Sequence, residues 1–205
     1  MQFTSEFFDA ITQTVTEAEA LTSAELVVVI QPQSGQYRDV AYLIGSGLAW
    51  LALAFMMYSD WVFEVVYLPF ELIGMAVIGG YLSTLTPLRR WLTSSDRRSR
   101  QVQAAARAAF VEFEILHTRS RTGVLIYWSV VEQQVEIIAD LGVMAAIPRE
   151  AWKQALAEFQ MNKPTRQRMS DFPEDLLTFG QFLSRYLPAT ADNPDELPNR
   201  PRILS

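Results

Sequence analysis

The sequence contains no cysteine. That excludes a disulfide framework, a thiol nucleophile and any cysteine-ligated metal, and it is neutral between compartments. Histidine occurs once, at His117, so a Ser-His-Asp arrangement would have to use it. It stands beside Leu116 at the end of a helical pattern, where a basic side chain suits the helix dipole, and a structural role is expected. A Gly-rich phosphate loop, G-x-S-x-G and His-Glu-x-x-His are all absent, and no internal repeat is visible. The net charge is −6, which argues against a general nucleic-acid binder, since phosphates call for a basic face. Met1–Glu6 lacks the basic run, apolar stretch and small-residue site of a secretory signal peptide. Insertion into a membrane would therefore be directed by internal segments.

What is abundant is hydrophobic residues, half of the chain, and they are unevenly spread. From Val40 to Tyr58 no residue is charged, between Asp39 and Asp60. That makes about 19 residues, close to the ~20 needed to cross the hydrocarbon core. Trp50, Leu51, Leu53, Phe55 and Met56 cover all sides, whereas a buried helix of a soluble core usually keeps a polar stripe. A second run extends from about Val65 to Leu88. A mid-membrane carboxylate is costly, so Glu71 is placed near the interface and the span at about Phe70–Leu88, with Pro69 at its start. The connection carries Asp60 and Glu64 and no Lys or Arg, while Arg89, Arg90, Arg97, Arg98 and Arg100 follow the second run. By the positive-inside rule the arginines, and with them both termini, are cytoplasmic. Gly45 with Ala49 and Ala76 with Gly80 would let two helices approach closely; such residues are also simply common in spanning helices.

The flanks read as ordinary globular segments. Phe7, Phe8, Ile11, Val15 and Ala18 give residues 3–22 a helical period, with Thr4 as a loose start signal. Glu25–Ile30 is a β-branched buried strand. Ser99–His117 is a helix with Val102, Ala106, Ala109, Phe113 and Leu116 on one face. Val124–Ser129 and Val135–Asp140 form a strand hairpin. Helices follow at about Arg149–Gln160, with Trp152, Leu156 and Phe159 inward, and about Pro173–Tyr186, with Leu176, Phe179, Phe182, Leu183 and Tyr186 inward. The expected fold is α/β of the α+β kind: a small sheet of about three or more strands covered by helices and interrupted by a transmembrane helical hairpin. The expected organisation is 1–38 and 89–187 as the two parts of one domain, 39–88 as the hairpin and 188–205 as an extended tail. A lone first strand cannot satisfy its backbone, so it must join the strands at 124–140. That requires both flanks on one side of the bilayer, in agreement with the charge argument.

The stretch Ala108-Ala109-Phe110, Thr118 and Arg121-Thr122-Gly123-Val124-Leu125-Ile126-Tyr127 resembles a segment of TPM-domain proteins. These are relatives of the thylakoid-lumen phosphatase-like and photosystem-repair proteins and of bacterial YgcG-type proteins. Val135-Glu136-Ile137-Ile138-Ala139-Asp140-Leu141-Gly142 is similar to the family's strand ending in an Asp or Gly turn. Asp171-Phe172 through Leu187-Pro188, with Asp192-Asn193-Pro194-Asp195-Glu196-Leu197-Pro198, resembles the closing segment of its small bacterial members. The resemblance covers about residues 3–31 and 100–200. It implies weak phosphatase activity in some members, divalent-cation binding in others, and more often a role in assembling or maintaining membrane complexes. Family members commonly carry a signal peptide and an extracytoplasmic domain; a hairpin after the first strand departs from that.

Among the residues themselves, loops at strand ends gather function. Asp140 at a strand end, with Thr118, Arg121 and Thr122 at the neighbouring turn, forms the leading cluster. Its oxygens suit a hard cation such as Ca²⁺ or Mg²⁺, with Glu25 and Glu132 as further oxygen donors, and Arg121 suits a phosphate or carboxylate. The structural alternative is that Asp140 and Thr118 cap turns while Arg121 pairs with a surface carboxylate. The expected function is a membrane-anchored, non-catalytic interaction or assembly module in the bacterial inner membrane. Its expected partners are the lipid bilayer and a membrane protein, with no nucleic acid; the alternative is a divalent-cation-dependent phosphatase.

Overall fold

A computed structural model describes residues 4–85, 91–159, 165–190 and 196–203. The chain forms two compact units, Met1–Ser34 with Ser99–Ser205, and Gly35–Arg98. Among the described residues the fold is α+β, with seven α-helices and one four-stranded mixed sheet.

The first unit is built on β1 (Glu25–Gln31), β2 (Gly123–Ser129), β3 (Gln134–Ala139) and β4 (Arg202–Ile203), in the order β3-β2-β1-β4. β1 runs parallel to β2 in the register Glu25–Gly123 through Gln31–Ser129, and β2 is antiparallel to β3. Both faces of β1 are covered, which is why its sequence is continuously apolar rather than alternating. Leu26, Val28 and Ile30 join the core beneath α1 (Ser5–Glu19), α6 (Arg149–Phe159) and α7 (Thr165–Ser184). Val27 and Val29 join a smaller core with Val102, Ala106 and Ala109 of α4 (Ser95–Glu112), from the part of that helix within this unit. Trp128 carries the larger core, stacking on Phe172 at 5.3 Å and meeting Phe7 edge-on at 6.2 Å.

Several elements differ from the sequence expectation for local reasons. α4 stops at Glu112, and Glu114 takes a left-handed conformation (φ 56°) before a 3₁₀ turn at Ile115–His117. The break lets Ile115 drop under Gly123, where a Cβ would come within 2.5 Å of the Ile115 carbonyl oxygen. α7 runs through Pro173 instead of beginning there. An interior proline costs about 3 kcal/mol, and burial of Phe172, Leu176, Phe179 and Leu183 offsets it. α5 (Leu141–Ala146), capped by Asp140, is too short to show a period. The segment after Leu187 is more than a tail. Ala189 N–H donates to Leu21 O at 3.3 Å, and β4 pairs with Val29 and Ile30.

The second unit contains α2 (Arg38–Tyr58) and α3 (Leu68–Leu82). Their contact is made by glycine. A Cβ at Gly45 would lie 2.7 Å from the Ala76 carbonyl oxygen, and one at Gly79 would lie 2.7 Å from the Gly45 Cα. Close backbone approach of this kind is how apolar helices pack without long interdigitating side chains. Gly45 therefore sits against Ala76 and the Gly80 amide nitrogen, 3.6 Å from a Cβ built on Gly45, while a Cβ on Gly80 itself would meet nothing within 4 Å. Asp39, in the first turn of α2, accepts two bonds from Arg97, at 2.5 and 3.0 Å. Among the described residues α2 alone is long and apolar enough to cross a membrane. α3 has 15 residues, about 22 Å, shorter than the expected span at Phe70–Leu88; residues 86–88 lie outside the described residues.

Candidate functional site

Five of the six residues singled out from sequence gather at one end of the sheet. Register sets Glu25 beside Gly123, and the Asp140 N–H donates to Gly123 O at 2.9 Å, so Glu25, Gly123 and Asp140 lie across three neighbouring strands. The preceding loop is shaped by Thr118. Its hydroxyl accepts from Thr122 N at 3.0 Å, its carbonyl accepts from Arg121 N at 3.1 Å, and Arg121 adopts φ 55°.

Arg121 then forks onto Asp140, Nε to Oδ2 at 2.8 Å and a terminal nitrogen to Oδ1 at 3.1 Å. Asp140 Oδ1 also accepts from Leu141 N at 2.7 Å. The carboxylate is 3% exposed. Burial opposes its ionisation, but the Arg121 bonds and the Leu141 N–H outweigh that and hold its pKa below the usual carboxylate range. Asp140 raises the Arg121 pKa in return. Gly142 completes the interlock. Its N–H donates to Arg121 O at 2.9 Å, and a Cβ there would run into the Ser120 and Arg121 carbonyl oxygens. The Arg-Thr-Gly and Asp-Leu-Gly sequences are thus two halves of one clasp.

Glu25 Oε2 faces the N–H groups of Glu196 and Leu197, each at 3.3 Å. Glu196 in turn accepts from Arg119 N at 2.8 Å. The carboxylates at this end are engaged by the chain's own donors.

Glu132 is not part of this cluster. It lies at the opposite end of β2, about 20 Å away along a seven-residue strand, so the expected donor set of Asp140, Glu25 and Glu132 does not converge. There it anchors a buried polar network that the sequence expectation omitted. Glu132, 2% exposed, accepts from the Ser129 hydroxyl and from Ser34 N at 3.3 Å. The Ser34 hydroxyl donates to Ser129 Oγ at 2.7 Å and lies 2.9 Å from the Tyr127 hydroxyl, which donates to Gln31 Oε1. Burial pushes the Tyr127 pKa up; the Ser34 bond works against this and the Glu132 charge adds to it. Polar groups at 127 and 129, two apart and so on one strand face, were the available signal. The network ties residues 31–34, where the chain leaves β1, to the β2–β3 turn. The first residue of β3 holds the returning chain, since Gln134 Nε2 donates to Ser99 Oγ at 3.1 Å.

His117 is exposed, 4.0 Å from the Glu114 carboxylate. Among the described residues no group of three or more His, Cys, Asp or Glu is arranged to hold a metal ion. A groove of about 580 Å³ runs between α6 and α7, floored by Ala155, Phe159, Phe179 and Phe182. Glu158, Asp175, Arg185 and Tyr186 also line it.

No protein-family model matches the sequence, and no curated protein matches it. An NMR structure of the BA42 protein from the psychrophilic bacterium Bizionia argentinensis is similar in fold. The match has a TM-score of 0.56 and 17% identity, over 100% of this chain and 97% of that one.

Proposed function

We propose that the protein is a membrane-anchored α+β domain of the TPM type that serves as a non-catalytic interaction or assembly module for a membrane complex. The carrying observation is that the acids singled out for chemistry are engaged in holding the fold. Asp140 is gripped by Arg121 and Leu141, Glu25 by the C-terminal segment, and Glu132 by Ser129 and Ser34. A phosphatase would have to break the Arg121 fork before Asp140 could bind a metal or attack phosphate. Purified protein in detergent, given a generic phosphate ester with Mg²⁺ or Ca²⁺, is expected to show no turnover that Asp140→Ala abolishes. Turnover lost in that variant would establish the enzyme instead.

The anchor is the α2–α3 hairpin, inserted in the inner membrane from its cytoplasmic side. β1, before the hairpin, pairs with β2 and β4, after it, which supports a chain that leaves and returns through the same leaflet. Reporters at either terminus are expected to be cytoplasmic and one near Asp60 not, a bias that replacing Arg97, Arg98 and Arg100 together weakens. Opposite placement of the termini would refute the topology. The partner is a membrane protein, to be identified by crosslinking in native membranes.

A further inference from the structure

The connection between α2 and α3 has the wrong composition for a water-facing loop. Residues 59–67 read Ser-Asp-Trp-Val-Phe-Glu-Val-Val-Tyr. Trp61 is 73% exposed, Val62 95%, Val65 80% and Val66 74%. A contiguous apolar surface of this kind marks contact with something other than water.

The glycine contact between the helices gives its height. Counted from Gly45 at 1.5 Å per residue, α2 reaches about 10 Å back to Arg38 and about 20 Å forward to Tyr58. From Gly79, α3 reaches about 16 Å to Leu68 in the same forward direction. The distance from Arg38 to Tyr58 is thus about 30 Å, the thickness of the hydrocarbon core. With Arg38 in one headgroup layer, Tyr58 and Leu68 both arrive at the opposite boundary, within about 4 Å of each other along the helix axes. That boundary is where tyrosine and tryptophan concentrate, and Tyr58, Trp61 and Tyr67 stand there. The patch is also continuous with lipid-facing helix surface, since Phe55 of α2 meets Trp61 and Phe63 edge-on, each at 6.3 Å.

We infer that residues 59–67 are an interfacial anchor in the far leaflet, seated at the boundary between acyl chains and phospholipid headgroups. Trp61, Val62, Val65 and Val66 enter lipid, while the Asp60 and Glu64 carboxylates turn to headgroup water. The inference rests on α2 spanning the bilayer, and the test separates the two. The cysteine-free chain allows single spin labels at Asp60→Cys, Val62→Cys, Val65→Cys and, midway along α2, Leu51→Cys. In vesicles of phosphatidylcholine and phosphatidylglycerol, relaxation by oxygen, which enters lipid, is compared with relaxation by a water-soluble nickel complex. Oxygen is expected to exceed nickel several-fold at Val62 and Val65 and most of all at Leu51, with the order reversed at Asp60. Nickel dominating at Val62 and Val65 while Leu51 stays lipid-like overturns the interfacial anchor alone. Nickel dominating at Leu51 overturns the span and the anchor with it. Labels at Val62 and Val65 shielded from both reagents overturn the anchor in favour of a covering protein.

Discussion

Replacing Ser129 by alanine tests the buried network at its most enclosed atom. The Ser129 hydroxyl is fully buried; it donates to the Glu132 carboxylate and accepts from Ser34 at 2.7 Å. Removal takes one donor from a buried carboxylate and the acceptor from Ser34. A hydrogen bond to a charged group contributes about 1.5–3 kcal/mol and a neutral one about 0.5–1.5 kcal/mol. A cavity of one oxygen adds little, so the expected loss is about 2–4 kcal/mol. For a domain of 150–250 residues that lowers Tm by roughly 4–16 °C, read from tryptophan fluorescence in detergent. Ser34→Ala and the double variant complete a cycle. Because the two hydroxyls touch, their effects are expected to depart from additivity by at least ~0.5 kcal/mol. A Ser129→Ala Tm within about a degree of the parent, or strictly additive effects, would mean that the hydroxyl does not serve the carboxylate as described.

Gly45→Leu drives a side chain into the Ala76 backbone and is expected to cost about 1–3 kcal/mol of hairpin packing. A lower yield of disulfide crosslinks between cysteines introduced along α2 and α3 would report it. Gly142→Ala, whose methyl meets the carbonyls of Ser120 and Arg121, is expected to lose about 1–3 kcal/mol in thermal unfolding. Asp140 has a folded pKa below its unfolded value. The stability it confers is therefore present above the ordinary carboxylate range and disappears as pH falls through the lower folded value. The Tm gap between parent and Asp140→Asn is expected to be open at pH 7 and to narrow as pH falls through and below the ordinary carboxylate range; a gap that widens on acidification would reverse the sign assigned here.

The pairing of β1 with β2 is legible because an apolar β-branched run cannot leave its backbone groups unpaired, however far the partner lies in sequence. The helical faces of α1 and α4 are legible from period alone. The stop at Glu112 is not, because a left-handed glutamate carries no compositional mark and answers to the space beneath Gly123. β4 escapes notice because two residues make no pattern. The Arg121–Asp140 cluster is visible as strand-end chemistry, but only geometry reveals that each group satisfies the other. Glu132 and Asp140 are both acids near strand ends in the sequence; that they lie apart is a matter of which end of β2 each occupies. The Ser34 contacts span more than 90 residues, beyond the reach of local spacing.

The placement of β1 also has a consequence for biogenesis. Its neighbour β2 begins at Gly123 and β4 lies at Arg202–Ile203, so at 5–20 residues per second β1 waits about 5–20 s on the ribosome for its first partner strand. Throughout that interval it is a bare apolar ribbon with both edges open, the state most prone to aberrant association. The α2–α3 segment is synthesised within the same interval, so in the topology proposed above lipid insertion would come before sheet closure. In that proposed topology, a cell short of insertion capacity would accumulate the protein with its nascent β1 unprotected.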